Sequence, residues 1–144
     1  MTEHQIALAR RAVAAPGWRR LHGMRFLRPD GSYPLRMVGE GCYAHEGETG
    51  ISIPAATDLL PSDLPDLSDP LTVLGLLALV RERWGGPDVY LVHVKAYNGR
   101  DRRWTLARGT SPTLLVGMNA DSVLCYVSAE TEVEALVVAL EVTP

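Results

Sequence analysis

Arginine and aromatic residues are concentrated in a predicted hairpin between residues 97 and 108. An arginine guanidinium forms paired hydrogen bonds with phosphate or carboxylate, and an aromatic face stacks on a nucleobase. A second group of arginines follows Trp18 along the chain. The composition of both groups predicts a site for a small anionic ligand such as a nucleotide. The predicted ligand-binding residues are Tyr97, Arg100, Arg102, Arg103, Trp104, Arg108, Arg19 and Arg20.

The abundance of arginine also has two simpler causes, which stay open at this point. Arginine supplies all of the 14 basic residues except Lys95, and a GC-rich coding sequence gives the same bias. On a solvated hairpin, the arginine stems cover apolar surface while the guanidinium groups stay in water. Of these explanations, only the ligand site requires the arginine and aromatic side chains to lie close together in the folded protein.

Residue combinations that could support catalysis or metal binding are weak. Cys42 and His45 have the spacing of two metal ligands and lie near Glu46, but a structural zinc site needs four ligands and no further pair completes it. His93 lies within a predicted strand on its wetter face, where a histidine is usually solvated. The chain has neither a G-x-S-x-G nucleophile turn nor a phosphate-binding glycine loop. We therefore assign no catalytic residue, metal or cofactor, and favour a protein that is not an enzyme.

The overall composition is that of a globular protein with no marked affinity for nucleic acid or membrane. The 144 residues carry a net charge of −3 and the basic residues form no long stripe, so a nucleic-acid partner is not expected. The longest apolar run, residues 73–80, is far shorter than the ~20 residues of a membrane span. The N-terminal residues lack the apolar core of a signal peptide. We expect a cytoplasmic protein without a membrane partner.

The hydrophobic pattern predicts one α+β domain over residues 1–144, with a mostly antiparallel sheet and two apolar helices packed on it in sandwich-like layers. Hairpin turns rather than crossovers join most strands, which favours antiparallel pairing. Residues 39–66 are rich in Gly, Pro and acidic residues and predict an irregular loop with a short strand at residues 50–53. The predicted elements are a helix at 2–14, strands at 25–28 and 33–38, a helix at 70–84, strands at 88–97, 103–108 and 122–127, a short edge strand at 114–116, and a closing helix from 131.

The helix predicted at residues 70–84 is apolar on nearly every side as far as Arg81. One sheet face covers only one side of such a helix. Burying about five additional Leu or Val side chains is worth roughly 8–15 kcal/mol, at ~1.5–3 kcal/mol each. We therefore expect the helix to be covered on both sides, either by layers within the chain or by a second copy in a homodimer.

The segments DLSDPLTVLGLLALVRERWG, SAETEVEALVVALE and LARRAVAAPGWRRLHGM resemble small tailed-bacteriophage proteins of the phage α–β–α sandwich family. The resemblance covers roughly residues 7–24, 64–86 and 128–144. It implies the layered fold and action in a host cell, but it carries no catalytic residue, because the shared positions are core and cap residues.

Three functions are compatible with these features. The first is a phage accessory protein that binds a small anionic ligand, such as a host signalling nucleotide sequestered in counter-defence. The second is a protein that inhibits a host enzyme through the segment 39–66. The third is an enzyme acting on nucleotides, for which the sequence supplies no base, nucleophile or metal set. The first is the one we favour.

Overall fold

The computed structural model has an α+β fold with antiparallel sheets, which confirms the predicted fold class. It describes residues 1–29, 34–40, 42–47, 50–52, 59–95, 102–109, 123–127 and 129–142. The elements are α1 (Glu3–Ala14), β1 (Arg25–Leu27), β2 (Leu35–Gly39), β3 (Cys42–Gly47), β4 (Gly50–Ser52), β5 (Leu64–Pro65), α2 (Pro70–Trp84), β6 (Val89–Lys95), β7 (Arg102–Arg108), β8 (Val123–Val127) and α3 (Glu132–Glu141).

The chain forms two compact units, and each has its own sheet. Unit 1 comprises Met1–Ala14 and Trp18–Gly75, and unit 2 comprises Ala15–Gly17 and Leu76–Pro144. The sequence predicts a single sheet, whereas the described residues form a sheet of five strands and a sheet of three. The reason is that hairpins join the strands on either side of α2, but no hairpin spans α2 itself.

Unit 1 contains the five-stranded sheet in the order β4-β3-β2-β1-β5, with every neighbouring pair antiparallel. The short strand β5 forms one edge of this sheet, and its Pro65 is the partner of Phe26 on β1. Helix α1 contacts β5, and its buried residues are Leu8, Ala9 and Ala12. This packing places α1 alongside one edge of the sheet.

Unit 2 contains the three-stranded sheet β6-β7-β8, on which α3 packs. Five residues of α3 are buried, so this helix is covered as its apolar sequence predicts. Trp84 at the end of α2 donates a hydrogen bond from Nε1 to the carbonyl of Ala139, with a distance of 2.9 Å. A buried hydrogen bond therefore joins the two helical segments of this unit.

The predicted starts of the three helices are confirmed by side-chain hydrogen bonds to backbone N–H groups. Gln5 donates its N–H to Oγ1 of Thr2 at 3.2 Å, and Thr2 donates its own N–H to the Gln5 side chain at 2.8 Å. Asp69 caps α2 by accepting from the N–H of Thr72 at 2.9 Å. Thr131 caps α3 in the same manner. Each cap satisfies a donor that the helix cannot satisfy internally.

The apolar residues of α2 differ in their exposure. Leu76, Leu79 and Val80 are buried, but Leu71 and Leu74 are 48% and 58% exposed. The prediction that layers of the same chain cover the whole helix is therefore wrong at these two residues, and covering by a second copy stays a prediction. No helix in the described ranges reaches the combined length and hydropathy that a bilayer span needs.

The segment 39–66 is more regular than its composition suggests. The predicted short strand appears as β4, and the structure adds β3 and β5, so glycine and acidic residues here are compatible with strand pairing. Strands β6, β7 and β8 lie where strands are predicted. The edge strand predicted at 114–116 lies outside the described residues.

We expect Gly85→Ala to destabilise the protein by about 1–3 kcal/mol. Gly85 has a φ of +103° after the last residue of α2, and a Cβ there would lie 2.5 Å from Nη2 of Arg108. The left-handed backbone opposes a larger residue, whereas the Arg108 guanidinium is the end of a flexible side chain that can shift. Chemical denaturation followed by circular dichroism measures the change.

Gly109→Ala is the matched control, because a Cβ at Gly109 meets no atom within 4 Å. Equal stability of the two variants would contradict a special requirement for glycine at position 85.

Candidate ligand-binding groove

Three arginine–aspartate pairs fasten the segment 63–69 to the five-stranded sheet of unit 1. The aspartates recur at every third residue and their side chains are between 1% and 8% exposed. We call these pairs the Arg–Asp ladder. They are Arg28 with Asp63, Arg25 with Asp66, and Arg36 with Asp69, with N–O distances of 3.1, 3.0 and 2.9 Å.

Each aspartate also holds the backbone of its own segment. Asp63 accepts from the N–H of Leu60 at 2.8 Å, and Asp66 accepts from the N–H and hydroxyl of Ser68 at 3.0 and 2.5 Å. The buried hydroxyl of Thr72 accepts from the N–H of Arg25 at 2.9 Å. The ladder therefore fixes β5 and the start of α2 on β1 through charge-assisted and backbone hydrogen bonds.

Arg36 and Asp69 are the most strongly coupled pair of the ladder. Hydrogen bonding to Asp69 and to Glu46 raises the pKa of Arg36 above its ordinary value, against the opposing effect of burial. Burial alone would raise the pKa of Asp69, but hydrogen bonds from Arg36 and Thr72 hold that pKa below its ordinary value of 3.8. Arg36 also donates to the carbonyl of Gly23 at 2.7 Å. Both charges are therefore engaged by the protein itself and are not offered to a ligand.

A groove lies between α1 and the sheet edge that the ladder holds in place. Ile6, Arg10 and Val13 form its wall on α1, because residues three and four positions apart share one face of a helix. The groove consists of two cavities of about 420 and 330 Å³. Both are lined by Arg10, Pro29 and Leu64, so the cavities adjoin.

The larger cavity is mainly apolar and carries arginine on its lining. Its other described residues are Met1, Ile6, Leu27, Arg28, Pro29, Pro34 and Leu64. The smaller cavity is lined by Val13, Ala14, Pro61 and Ser62 besides the shared residues. A concave apolar surface with few polar groups is the usual form of a small-molecule site.

Arg10 and Arg28 differ in the partners they have. Arg28 makes a two-pronged contact with the buried carboxylate of Asp63, at 3.1 and 3.3 Å. Arg10 is exposed and has no hydrogen bond or ion pair with any described residue. The guanidinium of Arg10 is therefore available to an anion that enters the groove. Arg10 is not among the site residues predicted from the sequence, where its only signal is its helical spacing from Ile6 and Val13.

The predicted arginines of the described ranges have protein partners or lie in different units. Arg108 donates to the carbonyl of Trp84 at 2.8 Å and lies 3.4 Å from the carboxylate of Asp88. Arg20 lies over the ring of Phe26 at 5.9 Å, and Arg19 is exposed. Arg19 and Arg20 belong to unit 1, whereas the predicted hairpin belongs to unit 2.

Trp104 is the predicted site residue with a clear aromatic partner. It stacks on His93 across β6 and β7, with ring centroids 4.7 Å apart. The strand pattern alone predicts a solvated His93. The register between β6 and β7 places it opposite Trp104. Tyr97 and Arg100 lie outside the described residues, and of Arg102 and Arg103 the structure describes only the backbone position in β7.

Cys42 and His45 are both on β3, where their spacing of three places them on opposite faces of the strand. The nearby Glu46 is bound to Arg36 and lies 2.8 Å from Arg25. Glu48 lies outside the described residues. This geometry does not bring the two candidate ligands to one metal.

Comparison with protein-family models, with curated proteins and with solved structures gives no match to this chain.

We expect Asp69→Asn to lower the free energy of unfolding at pH 7 by about 3 kcal/mol, the lower end for a buried pair broken on one side, because Glu46 still accompanies Arg36. The pKa of Asp69 is lower in the folded than in the unfolded chain. Its contribution to stability is therefore present above the ordinary pKa of 3.8 and is lost as the pH falls through the folded value. Asp69→Asn should remove this part of the acid dependence.

Urea denaturation of both proteins over about pH 2 to 7 measures the effect. Glu132→Gln, which removes an exposed carboxylate on α3, should keep wild-type stability at pH 7. Parallel stability curves for wild type and Asp69→Asn across the acid range would show that this carboxylate is not stabilised by folding.

Proposed function

We propose that the protein is a non-enzymatic binding protein for a small anionic ligand, which it holds in the groove between α1 and the edge of the five-stranded sheet. The observation that carries the proposal is Arg10, an exposed cation without a described partner on the wall of two adjoining apolar cavities. Desolvation by apolar walls strengthens the attraction between a guanidinium and an anion.

The surroundings of the groove also support binding by a preformed site. Leu64 and Pro61 belong to the segment that the Arg–Asp ladder and the contact of Asp63 with Leu60 hold in place. A wall fixed before the ligand arrives reduces the entropy lost on binding. Binding rather than turnover is favoured because the described lining contains no histidine, cysteine or carboxylate to act as base or nucleophile.

The biological role proposed for this binding is sequestration of the ligand in the cytoplasm of a host cell. The resemblance of the helical segments to tailed-phage proteins supports this setting. A host signalling nucleotide bound in counter-defence is the ligand expected from the sequence alone, but the described lining of the groove includes none of the ligand-binding residues behind that expectation.

We expect Arg10→Gln to weaken ligand binding about tenfold or more, because a hydrogen bond to a charged group contributes roughly 1.5–3 kcal/mol. The probe set is inorganic phosphate, acetate, octanoate, AMP and cyclic dinucleotides. Thermal shift at high ligand excess identifies a binder, since a ligand at 100 times its Kd stabilises the folded state by about 2.7 kcal/mol. Calorimetry then gives the Kd of wild type and variants.

Arg20→Gln is the matched control, because it removes the same charge from the same unit at a position that does not line the groove. Loss of binding in Arg20→Gln with retention in Arg10→Gln would move the site to the residues predicted from the sequence. No shift with any probe would contradict the proposed function.

A further inference from the structure

We propose that the ligand of the groove is an aliphatic monocarboxylate, with its carboxylate on Arg10 and its alkyl chain in the larger cavity. This inference rests on the proposed function and specifies the chemical class of the ligand. Three properties of the groove lead to it: its charge, its lining and its volume.

The charge of the groove matches a single negative charge. The guanidinium of Arg28 is compensated by the carboxylate of Asp63, whose side chain is 1% exposed. Among the described side chains of the lining, this leaves the positive charge of Arg10 without a counter-ion. A ligand with two or more phosphate charges would bring at least one that the described side chains do not neutralise, at a cost in desolvation. A carboxylate brings a single negative charge, which Arg10 neutralises.

The lining matches an alkyl chain rather than a nucleobase. The apolar residues that the structure describes around the larger cavity are aliphatic side chains and prolines, and no aromatic ring is among them. A base gains much of its binding energy by stacking on aromatic or guanidinium planes. An alkyl chain gains from burial of its methylene groups against any apolar wall. The described lining therefore discriminates in favour of the alkyl chain.

The volume of the larger cavity sets the length of the chain. A cavity of about 420 Å³ holds roughly a dozen non-hydrogen atoms, if each takes up about the ~30 Å³ of a liquid water molecule. This corresponds to a carboxylic acid of about ten carbons. The smaller cavity, of about 330 Å³, holds fewer atoms by the same measure.

The position of Arg10 sets the orientation of the ligand. Arg10 lies on α1 between Ile6, which lines the larger cavity, and Val13, which lines the smaller one. A carboxylate held at Arg10 therefore stands at the junction of the cavities, from which the alkyl chain enters the larger one along Ile6 and Leu27.

Calorimetry with acetate, butanoate, hexanoate, octanoate, decanoate and dodecanoate, all below their micelle concentrations, tests the class. We expect the Kd to fall about fourfold for each added methylene and to level off near ten carbons. Arg10→Gln should weaken binding of octanoate about tenfold without changing this dependence on length. Octyltrimethylammonium, which has the alkyl chain with the opposite charge, should not bind.

A pair of variants on α1 tests the orientation. Ile6→Trp fills the larger cavity and should abolish binding of decanoate, whereas Val13→Trp fills the smaller one and should leave it within about twofold. Circular dichroism and denaturation of both variants establish that each is folded. Loss of binding in Val13→Trp alone would reverse the orientation and overturn that part of the inference.

The outcomes separate this inference from the proposed function. If AMP, cyclic dinucleotides or inorganic phosphate bind in an Arg10-dependent manner and octanoate does not, the groove is an anion site but the carboxylate class is wrong. An affinity that does not change with chain length overturns the assignment of the alkyl chain to the cavity. Absence of binding by every probe overturns both.

Discussion

The described packing of β5 and the start of α2 depends on three buried aspartates, each of which pairs with an arginine and accepts hydrogen bonds from its own segment. An isolated buried carboxylate costs several kcal/mol, so Asp63, Asp66 and Asp69 tolerate burial only while their partners are in place. The same contacts hold β5 against β1 and begin α2 at a fixed point. The wall of the groove formed by Pro61 and Leu64 therefore depends on the Arg–Asp ladder, and we expect both to be lost in the same unfolding step.

The same contacts distinguish arginines that bind other groups of the protein from Arg10, which is available to a ligand. Arg25, Arg28 and Arg36 are committed to carboxylates, and Arg108 is committed to the end of α2. Most of the arginines with described side chains thus bind carboxylates or backbone carbonyls of the protein itself. The proposed function rests on Arg10, whose guanidinium has no such partner among the described residues.

The sequence predicts local features of this protein well and long-range pairing poorly. Helix starts are predictable because caps such as Thr2 with Gln5 and Asp69 with Thr72 involve neighbouring residues. A hydrophobic pattern does not encode which strands pair, and the division into two sheets depends on that pairing. The Arg–Asp ladder and the stacking of His93 on Trp104 likewise depend on the register between strands. The acidic residues at 63, 66 and 69 are visible as a spacing of three, but their arginine partners follow only from strand register.

The strand β5 has a consequence for how the sheet meets other chains. It lies at the end of the strand order, where an unpaired backbone edge would invite another strand to add and extend the sheet. Proline at position 65 supplies no N–H, which leaves that edge one donor short of a continuous ladder. Both residues of β5 are also buried and α1 packs against the strand, so this edge of the sheet is already covered within unit 1.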